Sequence, residues 1–350
     1  MEVTGHISGE DVPRRSASIW DVARVAGVSQ QTVSRVINGK GRVSAETRAK
    51  VLRVIEELGY RPNKLARMLA GGPVRSVTVL TSDTSLYGAA ATLRGMEEAA
   101  RTAGFSVGIS VLEPGSGQRD VAERLNRPGE AVMVIAYDDA GVRALASLPP
   151  DVPMAAAVER RPGAEAPDPW QVWLDDRAAA AHATRYLLSL GHRTVHYVAI
   201  PSSTSDLPQR TQGWADALRA AGRPLPEPLH GGWSPRSGYL AVRPLAADPS
   251  VTAILCGNDD LALGVMRAAR EAGRHIPGDL SVVGFDDSPP AAYLNPSLTT
   301  VRLDFEGLGR ACFGLLHRRL DPQNAPAVPA WSEPELIVRE SSAPAPGSTF

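Results

Sequence analysis

The chain has 350 residues, 43% hydrophobic and 21% charged, which suits a soluble protein of two or three compact units. It contains no apolar run long enough to cross a bilayer, and its acidic first residues (Glu2, Glu10 and Asp11) predict no secretory signal. The two cysteines, Cys256 and Cys312, are far apart and lack metal-ligand spacing. We therefore expect a cytoplasmic protein with free thiols, no metal and no cofactor.

The formal net charge of −1 conceals a basic segment near the amino-terminal end. Residues 14–72 carry twelve Lys or Arg against four Asp or Glu, a balance of about +8, whereas the rest of the chain is acidic. A small basic unit joined to an acidic body is typical of proteins that bind nucleic acid. On charge alone, a solvated basic surface remains the alternative.

Apolar spacing predicts three short helices in this basic segment. Ser18 caps the first, Gly27 supplies the tight turn before the second, and the third runs from Ala45 to Leu58 behind Ser44. The side chains that we expect in the core of this unit are Ile19, Val22, Ala23 and Ala26, then Val33, Val36 and Ile37, then Val51, Leu52, Ile55 and Leu58. A three-helix unit of this size can be purely structural.

The second helix, from Gln30 to about Asn38, has a polar face opposite its apolar one. Gln30 lies one turn before Ser34, and Gln31 lies one turn before Arg35, so these four side chains point outward together. Gln can bond adenine in the major groove through two hydrogen bonds, and Arg can do the same with guanine. This pattern indicates the recognition helix of a helix-turn-helix.

The segment resembles a known family. Residues 19–38 (IWDVARVAGVSQQTVSRVIN) and residues 59–63 (GYRPN) closely resemble the head signature of the LacI/GalR family of bacterial repressors, and the resemblance continues to about residue 340. It implies sequence-specific binding to operator DNA. The head residues that we assign to DNA contact are Gln30, Gln31, Thr32, Ser34, Arg35 and Asn38.

Residues 62–73 predict a hinge. They read as a helix of about nine residues, ended by two glycines and a proline, and such a helix is too short to be stable alone. A plain linker is the alternative. The resemblance implies a segment that folds when paired with its twin on DNA, where Leu69 enters the minor groove and Ala66 packs against the partner hinge. Asn63 and Lys64 would then contact phosphate.

Beyond the hinge, strand-like and helical patterns alternate, which predicts parallel sheets with helices on both faces. The predicted strands are Ser76–Leu80, Phe105–Val111, Ala131–Tyr137, Thr194–Ile200, Thr252–Cys256 and Leu280–Phe285. The predicted helices are Ala89–Ala103, Ala178–Leu190, Gln209–Ala220 and Leu261–Ala272. The fold class is therefore α/β: a three-helix helix-turn-helix head and a hinge helix, followed by a larger core of parallel sheets flanked by helices.

The resemblance implies that this core has two lobes, as in periplasmic sugar-binding proteins, with the ligand between them. The chain would cross between the lobes near Leu174, near Val301 and again close to its carboxyl-terminal end. In open α/β sheets, ligands bind at the carboxyl ends of the strands. The residues that match the family's effector site at those ends are Arg210, Trp233, Asn258, Asp286 and Phe305.

Each of these five residues has a structural alternative, since Asn and Asp often cap helices and Trp often lies in a core. Together, an Arg fork, a carboxylate, an amide and an aromatic face suit the hydroxyls and the C–H face of a sugar. A purine-type co-repressor would also stack on the aromatic rings. Whether the effector releases or promotes DNA binding stays open at this point.

We predict a sequence-specific transcriptional regulator that acts as a homodimeric repressor on a palindromic operator, with no membrane contact. An enzyme is disfavoured because no phosphate loop, nucleophile elbow or metal motif occurs, and we name no catalytic residue. A solute-binding protein of a transport system is the rival from another class, but the basic head disfavours it. The predicted organisation is a disordered extension (1–15), the DNA-binding domain (16–61), the hinge and linker (62–73), the effector and dimerisation domain (74–340) and a disordered tail (341–350).

Overall fold

The computed structural model describes residues 17–38, 43–60, 76–113, 130–159, 168–201 and 208–347. Its contacts divide the chain into two compact units, residues 1–74 and residues 75–350, which we call the head and the body. The hinge residues assigned to DNA (Asn63, Lys64, Ala66 and Leu69) and the side chain of Asn38 lie outside the described part. No helix in the described part is long and apolar enough to cross a membrane.

The described head contains the three predicted helices, α1 (Ile19–Ala26), α2 (Gln30–Asn38) and α3 (Ala45–Glu57). Ser18 caps α1 through a capping box with Asp21, and Gly27 ends α1 in the left-handed conformation at φ 62°. This conformation, which glycine adopts without a steric penalty, turns the chain into α2. The buried side chains of the head are Val22, Ala23, Ala26, Val33, Val36, Val51 and Val54.

The predicted core face of α3 is partly wrong. Leu52 and Leu58 are 51% and 36% exposed, and Val54 is buried in their place. Val51 and Val54 are three residues apart and so share one face, whereas Leu52 lies about 100° around the helix from Val51. Leu58 follows the last residue of α3 as its cap.

The first lobe of the body is built on a five-stranded parallel sheet of order β2-β1-β3-β4-β5. Its strands are β1 (Ser76–Thr81), β2 (Ser106–Val111), β3 (Ala131–Ala136), β4 (Met154–Val158) and β5 (Gln171–Trp173). Its own helices are α4 (Tyr87–Thr102), between β1 and β2, and α5 (Asp139–Ala146), between β3 and β4. All of β3 is buried, as expected for a central parallel strand.

The second lobe is built on a six-stranded sheet of order β11-β10-β9-β8-β6-β7, in which only β11 is antiparallel. The described strands are β6 (His196–Ala199), β7 (Leu229–His230), β8 (Ala253–Cys256), β9 (Ser281–Asp286), β10 (Thr299–Arg302) and β11 (Glu335–Ile337). The helices are α6 (Asp176–Ser189), α7 (Gln209–Ala220), α8 (Pro235–Val242) and α9 (Asp259–Glu271), with a 3-10 turn at Pro289–Tyr293.

The chain passes between the sheets three times: after β5, after β10, and on the way from α10 (Phe305–Leu320) to β11. Helix α10 follows the second-lobe strand β10 but packs against α4, β4 and β5 of the first lobe. These crossings agree with those expected near Leu174, Val301 and the carboxyl-terminal end. The α/β fold class, with a helix-turn-helix head and a two-lobed core of parallel sheets, is confirmed.

The expectation of a disordered tail from residue 341 is wrong for residues 341–347. Ser341 is fully buried, and its hydroxyl donates to the carbonyl of Val282 over 2.6 Å. The amide of Val282 donates in turn to the carbonyl of Ser341, and the amide of Ala345 donates to that of Leu190. The Ser/Ala/Pro-rich composition suggested disorder. The prediction failed because composition alone does not show hydrogen bonds to residues that are distant in sequence.

Candidate functional site

Helix α2 carries the candidate DNA-contact residues, and its local structure fixes how they are presented. Ser29 precedes the helix, and its hydroxyl accepts a hydrogen bond from the amide of Thr32 at 3.1 Å. The hydroxyl groups of Ser29 and Thr32 also lie 2.9 Å apart. The cap therefore holds the first turn, and Thr32 contributes to it rather than pointing freely outward.

The outer face of α2 is arranged as the spacing predicts. Gln31 and Arg35 are exposed, while Gln30 and Ser34 are half-buried. The amide nitrogen of the Gln30 side chain is buried without a hydrogen-bond partner in the described residues. An unpaired buried donor is costly in a folded protein. It is therefore a candidate for pairing with an acceptor from outside the chain.

The body contains a cavity of about 340 Å³ between its two lobes, at the carboxyl ends of the strands of both sheets. All five residues predicted for the effector site line it. They come from separate stretches of the chain: Arg210 from α7, Trp233 from the turn before α8, Asn258 after β8, Asp286 at the end of β9 and Phe305 at the start of α10. The convergence follows from parallel strands meeting at one edge.

The first-lobe wall of this cavity, which we call the cleft, is aromatic. The ring centroid of Phe305 lies 6.1 Å from that of Tyr87 and 6.0 Å from that of Tyr137. The hydroxyl of Tyr137 lies 2.8 Å from the hydroxyl of Thr92, and burial raises the pKa of this phenol. Tyr137 therefore remains neutral, and the wall combines these rings with the polar side chains of Asp83, Asp138 and Glu159.

Arg210 organises the second-lobe wall. The Arg210 Nε donates to Asp176 Oδ2 at 3.0 Å, and its Nη1 lies 3.5 Å from Asp286 Oδ1. Its Nη1 also donates to the carbonyl of Gly257, and its guanidinium lies 4.4 Å above the ring of Phe285. Burial opposes its charge, but the two carboxylates raise its pKa, so Arg210 stays protonated.

Asp286 stands in an unusual backbone conformation. Its φ is +106°, and the next residue, Asp287, has φ +51°, both in the region that L-residues rarely adopt. Arg302 and Arg339 hold Asp287 through hydrogen bonds of 2.8 and 2.7 Å. Burial raises the pKa of Asp286 well above its ordinary value, and Arg210 opposes that change. Such strain persists where surrounding contacts enforce it, commonly at ligand sites.

Asn258 caps a helix, which was the structural alternative to ligand binding, and it also lines the cleft. Its side-chain oxygen caps α9 by accepting from the amide of Leu261 at 2.8 Å. Its side-chain nitrogen donates to the carbonyl of Trp233 at 3.2 Å. The cap therefore also anchors the turn that carries Trp233, and the two residues are positioned together.

Sequence reasoning missed several cleft residues. They are Tyr87, Tyr137, Glu159, Asp176 and Asp259, each at the first position of a helix or just after a strand. The same rule that found Asn258 and Asp286 could have found Tyr87, Tyr137 and Asp259, because they follow strands that were predicted. Glu159 and Asp176 follow strands that were not predicted. Asp259 accepts hydrogen bonds from Ser288 at 2.7 Å and Thr300 at 2.6 Å, and burial raises its pKa to about 6.

A metal centre finds no support in the described part of the chain, where no three His, Cys, Asp or Glu side chains are grouped to hold an ion. The two cysteines are buried and unpaired. The cleft offers chemistry for binding, because hydrogen-bond donors and acceptors line it together with aromatic rings.

Comparisons with known proteins agree for both units. The family model described as "Bacterial regulatory proteins, lacI family" matches residues 18–63, and the model described as "Periplasmic binding protein-like domain" matches residues 184–342. Catabolite control protein A of Priestia megaterium is 33% identical over 322 residues, which are 88% of this chain and 94% of that protein.

Two solved structures extend the agreement. The lac repressor dimer bound to operator and the anti-inducer ONPF has a TM-score of 0.79 at 29% identity, over 94% of this chain and 100% of that one. A complex of the transcriptional regulator CelR with cellobiose has a TM-score of 0.66 at 30% identity, over 93% of this chain and 100% of that one.

Proposed function

Because the chain belongs to the LacI/GalR family of bacterial transcriptional regulators, we propose how its two units divide the work of a repressor. The head reads an operator through α2, using Gln30, Gln31, Thr32, Ser34, Arg35 and Asn38. The body binds a sugar in the cleft through Arg210, Trp233, Asn258, Asp286 and Phe305. Sugar binding changes operator affinity.

The convergence of five dispersed residues on one cavity carries this proposal. Arg210, Asn258 and Asp286 supply donors and acceptors, while Trp233 and Phe305 supply ring faces. A sugar presents hydroxyls at its edge, which can bond the polar residues, and C–H groups on its faces, which can pack against the rings. Two relatives support this ligand class, since CelR is seen with cellobiose and the lac repressor with ONPG.

The assembly follows from the symmetry of the target. A homodimer reads a palindrome with one head on each half-site, and in the proposed arrangement Asn63, Lys64, Ala66 and Leu69 of each hinge contact DNA. The relative solved with its operator is a dimer. We place this regulator in the cytoplasm, where its DNA is, and assign it no catalytic role.

A thermal-shift screen tests the ligand proposal. The purified chain is melted with sugars, sugar phosphates and purines, because a ligand at a hundred times its Kd raises stability by about 2.7 kcal/mol. We expect a sugar to raise the melting temperature of the wild type but not of Trp233→Ala. Trp20→Ala is the matched control, since Trp20 lies in the head and is 72% exposed. A purine hit without a sugar hit would replace the sugar with a co-repressor.

A further inference from the structure

Arg210 is the only basic side chain among the described residues that line the cleft, and most of its donors are already in use. Its Nε donates to Asp176 Oδ2 at 3.0 Å. Its Nη1 donates to the carbonyl of Gly257 and lies 3.5 Å from Asp286 Oδ1. The hydrogens on Nε and Nη1 therefore have acceptors within the protein itself.

The remaining donor of Arg210 is Nη2. No described residue accepts a hydrogen bond from it. It is not enclosed, because buried side-chain nitrogens without a partner are confined to Gln30, His196 and Gln212 in the described part of the chain. Nη2 is therefore open to the cleft that Arg210 lines, and the protein offers this one nitrogen of the guanidinium to a ligand.

This arrangement of the guanidinium distinguishes a hydroxyl from a phosphate. Arginine binds a phosphate best through two parallel hydrogen bonds, from Nε and Nη2 along one edge or from Nη1 and Nη2 along the other. Here each edge has one donor engaged, since Asp176 holds Nε and the carbonyl of Gly257 holds Nη1. A sugar hydroxyl needs only Nη2. The site thus suits a hydroxyl and denies a phosphate its two-point contact.

The side chain of Asp176 has Arg210 as its partner and serves no helix cap. Asp176 is the first residue of α6, but the side chain of Asp175 caps that helix by accepting from the amide of Ala178. The Asp176 side chain is 7% exposed, and its Oδ1 is buried without a hydrogen bond in the described structure. A buried ion pair adds little net stability, so the effect of Asp176 on Arg210 is the better explanation for it.

We propose that Asp176 sets the selectivity of the cleft for a sugar over its phosphorylated form, because by holding Arg210 Nε it leaves Nη2 to bind a single hydroxyl. Asp176 acts through Arg210 and is a positioning residue. The inference rests on the proposed function and adds a specificity determinant to it. It also places the effector before any reaction that phosphorylates the sugar.

Calorimetric titration with matched ligands tests this proposal. Glucose and galactose are titrated beside their 1- and 6-phosphates, cellobiose beside its 1-phosphate, and inorganic phosphate alone. We expect the wild type to bind a neutral sugar at least about tenfold more tightly than its phosphates, because a hydrogen bond to a charged group is replaced by a poorly matched one. Inorganic phosphate should bind no better than the sugar phosphates.

Asp176→Ala opens the edge formed by Nε and Nη2. We expect it to weaken binding of the neutral sugar, whose donor loses its support, and to raise affinity for the phosphates at least about tenfold. The gained affinity should fall as salt rises, because the new contact is ionic. Damage to the fold lowers affinity for every probe and cannot produce this gain.

Asp176→Asn is the conservative variant. Its amide oxygen can still accept from Nε at nearly the same side-chain volume, but more weakly than a carboxylate. We expect it to retain most of the affinity for the neutral sugar and to shift the preference towards phosphate by a smaller factor than Asp176→Ala. If Asp176→Ala does not fold, the shift in Asp176→Asn decides.

Two controls separate positioning from net charge. Asp260 lines the same cleft without an ion pair to Arg210 in the described structure, so Asp260→Asn removes an equal charge and should change the preference less than Asp176→Asn does. Arg210→Lys replaces the two-edged guanidinium with a point charge. Adding Asp176→Ala to Arg210→Lys should therefore bring no gain in phosphate affinity.

The outcomes distinguish the selectivity proposal from the proposed function. An unchanged preference in the Asp176 variants, or an equal change in Asp260→Asn, would overturn the role of Asp176 and leave the sugar function standing. A wild type that binds a phosphate more tightly than its neutral sugar would do the same. Purine binding alone, or no binding by any probe, would overturn the role of Asp176 together with the sugar assignment.

Discussion

Individual side chains that line the cleft also hold the fold together. Asn258 caps α9 and anchors the Trp233 turn, and Arg210 joins Asp176 to Asp286 while stacking on Phe285. The cleft is therefore held in shape by the side chains that line it. Removing one of them changes both stability and the ligand site, so residue-scale tests need a readout specific to binding.

Arg35 is the clearest test of recognition by α2. Its side chain is exposed, and an Arg that bonds guanine contributes about 1–3 kcal/mol of specific affinity. We expect Arg35→Ala to lower operator affinity by that amount and to lower affinity for random DNA much less, as measured by fluorescence anisotropy. Arg53→Ala, at an exposed position on α3, is the control. Equal losses on both DNAs would argue against base recognition by Arg35.

Asp259 predicts a pH dependence. Burial raises its pKa from 3.8 to about 6 despite hydrogen bonds from Thr300 and Ser288, so the folded state binds this proton more tightly than the unfolded state. The proton on Asp259 stabilises the folded state fully below about pH 4. This stabilisation is lost as the pH rises to about 6, which lowers the free energy of unfolding by about 3 kcal/mol.

We expect Asp259→Asn to remove that part of the decline in unfolding free energy between pH 4 and pH 6, measured by urea denaturation. The readout is the difference in slope from the wild type, because other buried acids also titrate. Asp151→Asn, exposed, should retain the wild-type slope. An unchanged slope in Asp259→Asn would show that Asp259 titrates as it does in the unfolded chain.

At the scale of elements, the two helices α4 and α10 pack through glycines. A Cβ added at Gly309 would collide with the carbonyl oxygen of Thr92, and one added at Gly95 would collide with that of Glu306. The helices thus approach backbone to backbone, and this contact ties α10 to the first lobe although it follows a second-lobe strand.

Gly309→Ala should therefore destabilise the body by about 1–3 kcal/mol or more, since the colliding atom is backbone and cannot turn aside. Thermal unfolding followed by circular dichroism measures this loss. In Gly278→Ala the new Cβ would meet only His275, at 3.8 Å, and stability should change by less than about 0.5 kcal/mol. Similar melting temperatures for the two variants would contradict the close approach.

The same elements show how far the sequence could be read. Helix α7 was predicted at its observed bounds, and the strand before Asn258 and the strand that ends at Asp286 were placed within a residue. Strand β4, Met154–Val158, was missed because its three alanines favour helix and only burial between neighbouring strands selects the extended form.

Helix α10 was missed because its sequence lacks the usual signals of a helix. It is buried on nearly every side and contains Gly307, Gly309 and Gly314, so it lacks both a polar face and strong helix propensity. In the cleft, Asn258 and Asp286 were found at well-predicted strands, whereas Asp176 and Glu159 follow strands that were themselves missed. Their roles depend on chain crossings that periodicity does not reveal.

At the scale of the whole molecule, the proposed function requires two copies. A two-fold dimer presents one head to each half-site of a palindromic operator. We therefore expect a dimer, and multi-angle light scattering measures its mass directly. A stable tetramer would require a further interface and would contradict this expectation.

The central claim is that the cleft and the operator site are coupled. By linkage, a sugar that favours one state changes operator affinity, commonly by about 5- to 150-fold, in whichever direction the switch works. The decisive measurement is the affinity for an operator selected from genomic fragments, with and without the sugar found by thermal shift. We predict that saturating sugar changes the wild-type affinity at least fivefold, and that Trp233→Ala binds the operator normally but does not respond. A sugar that binds in the cleft and leaves operator affinity unchanged would contradict the account.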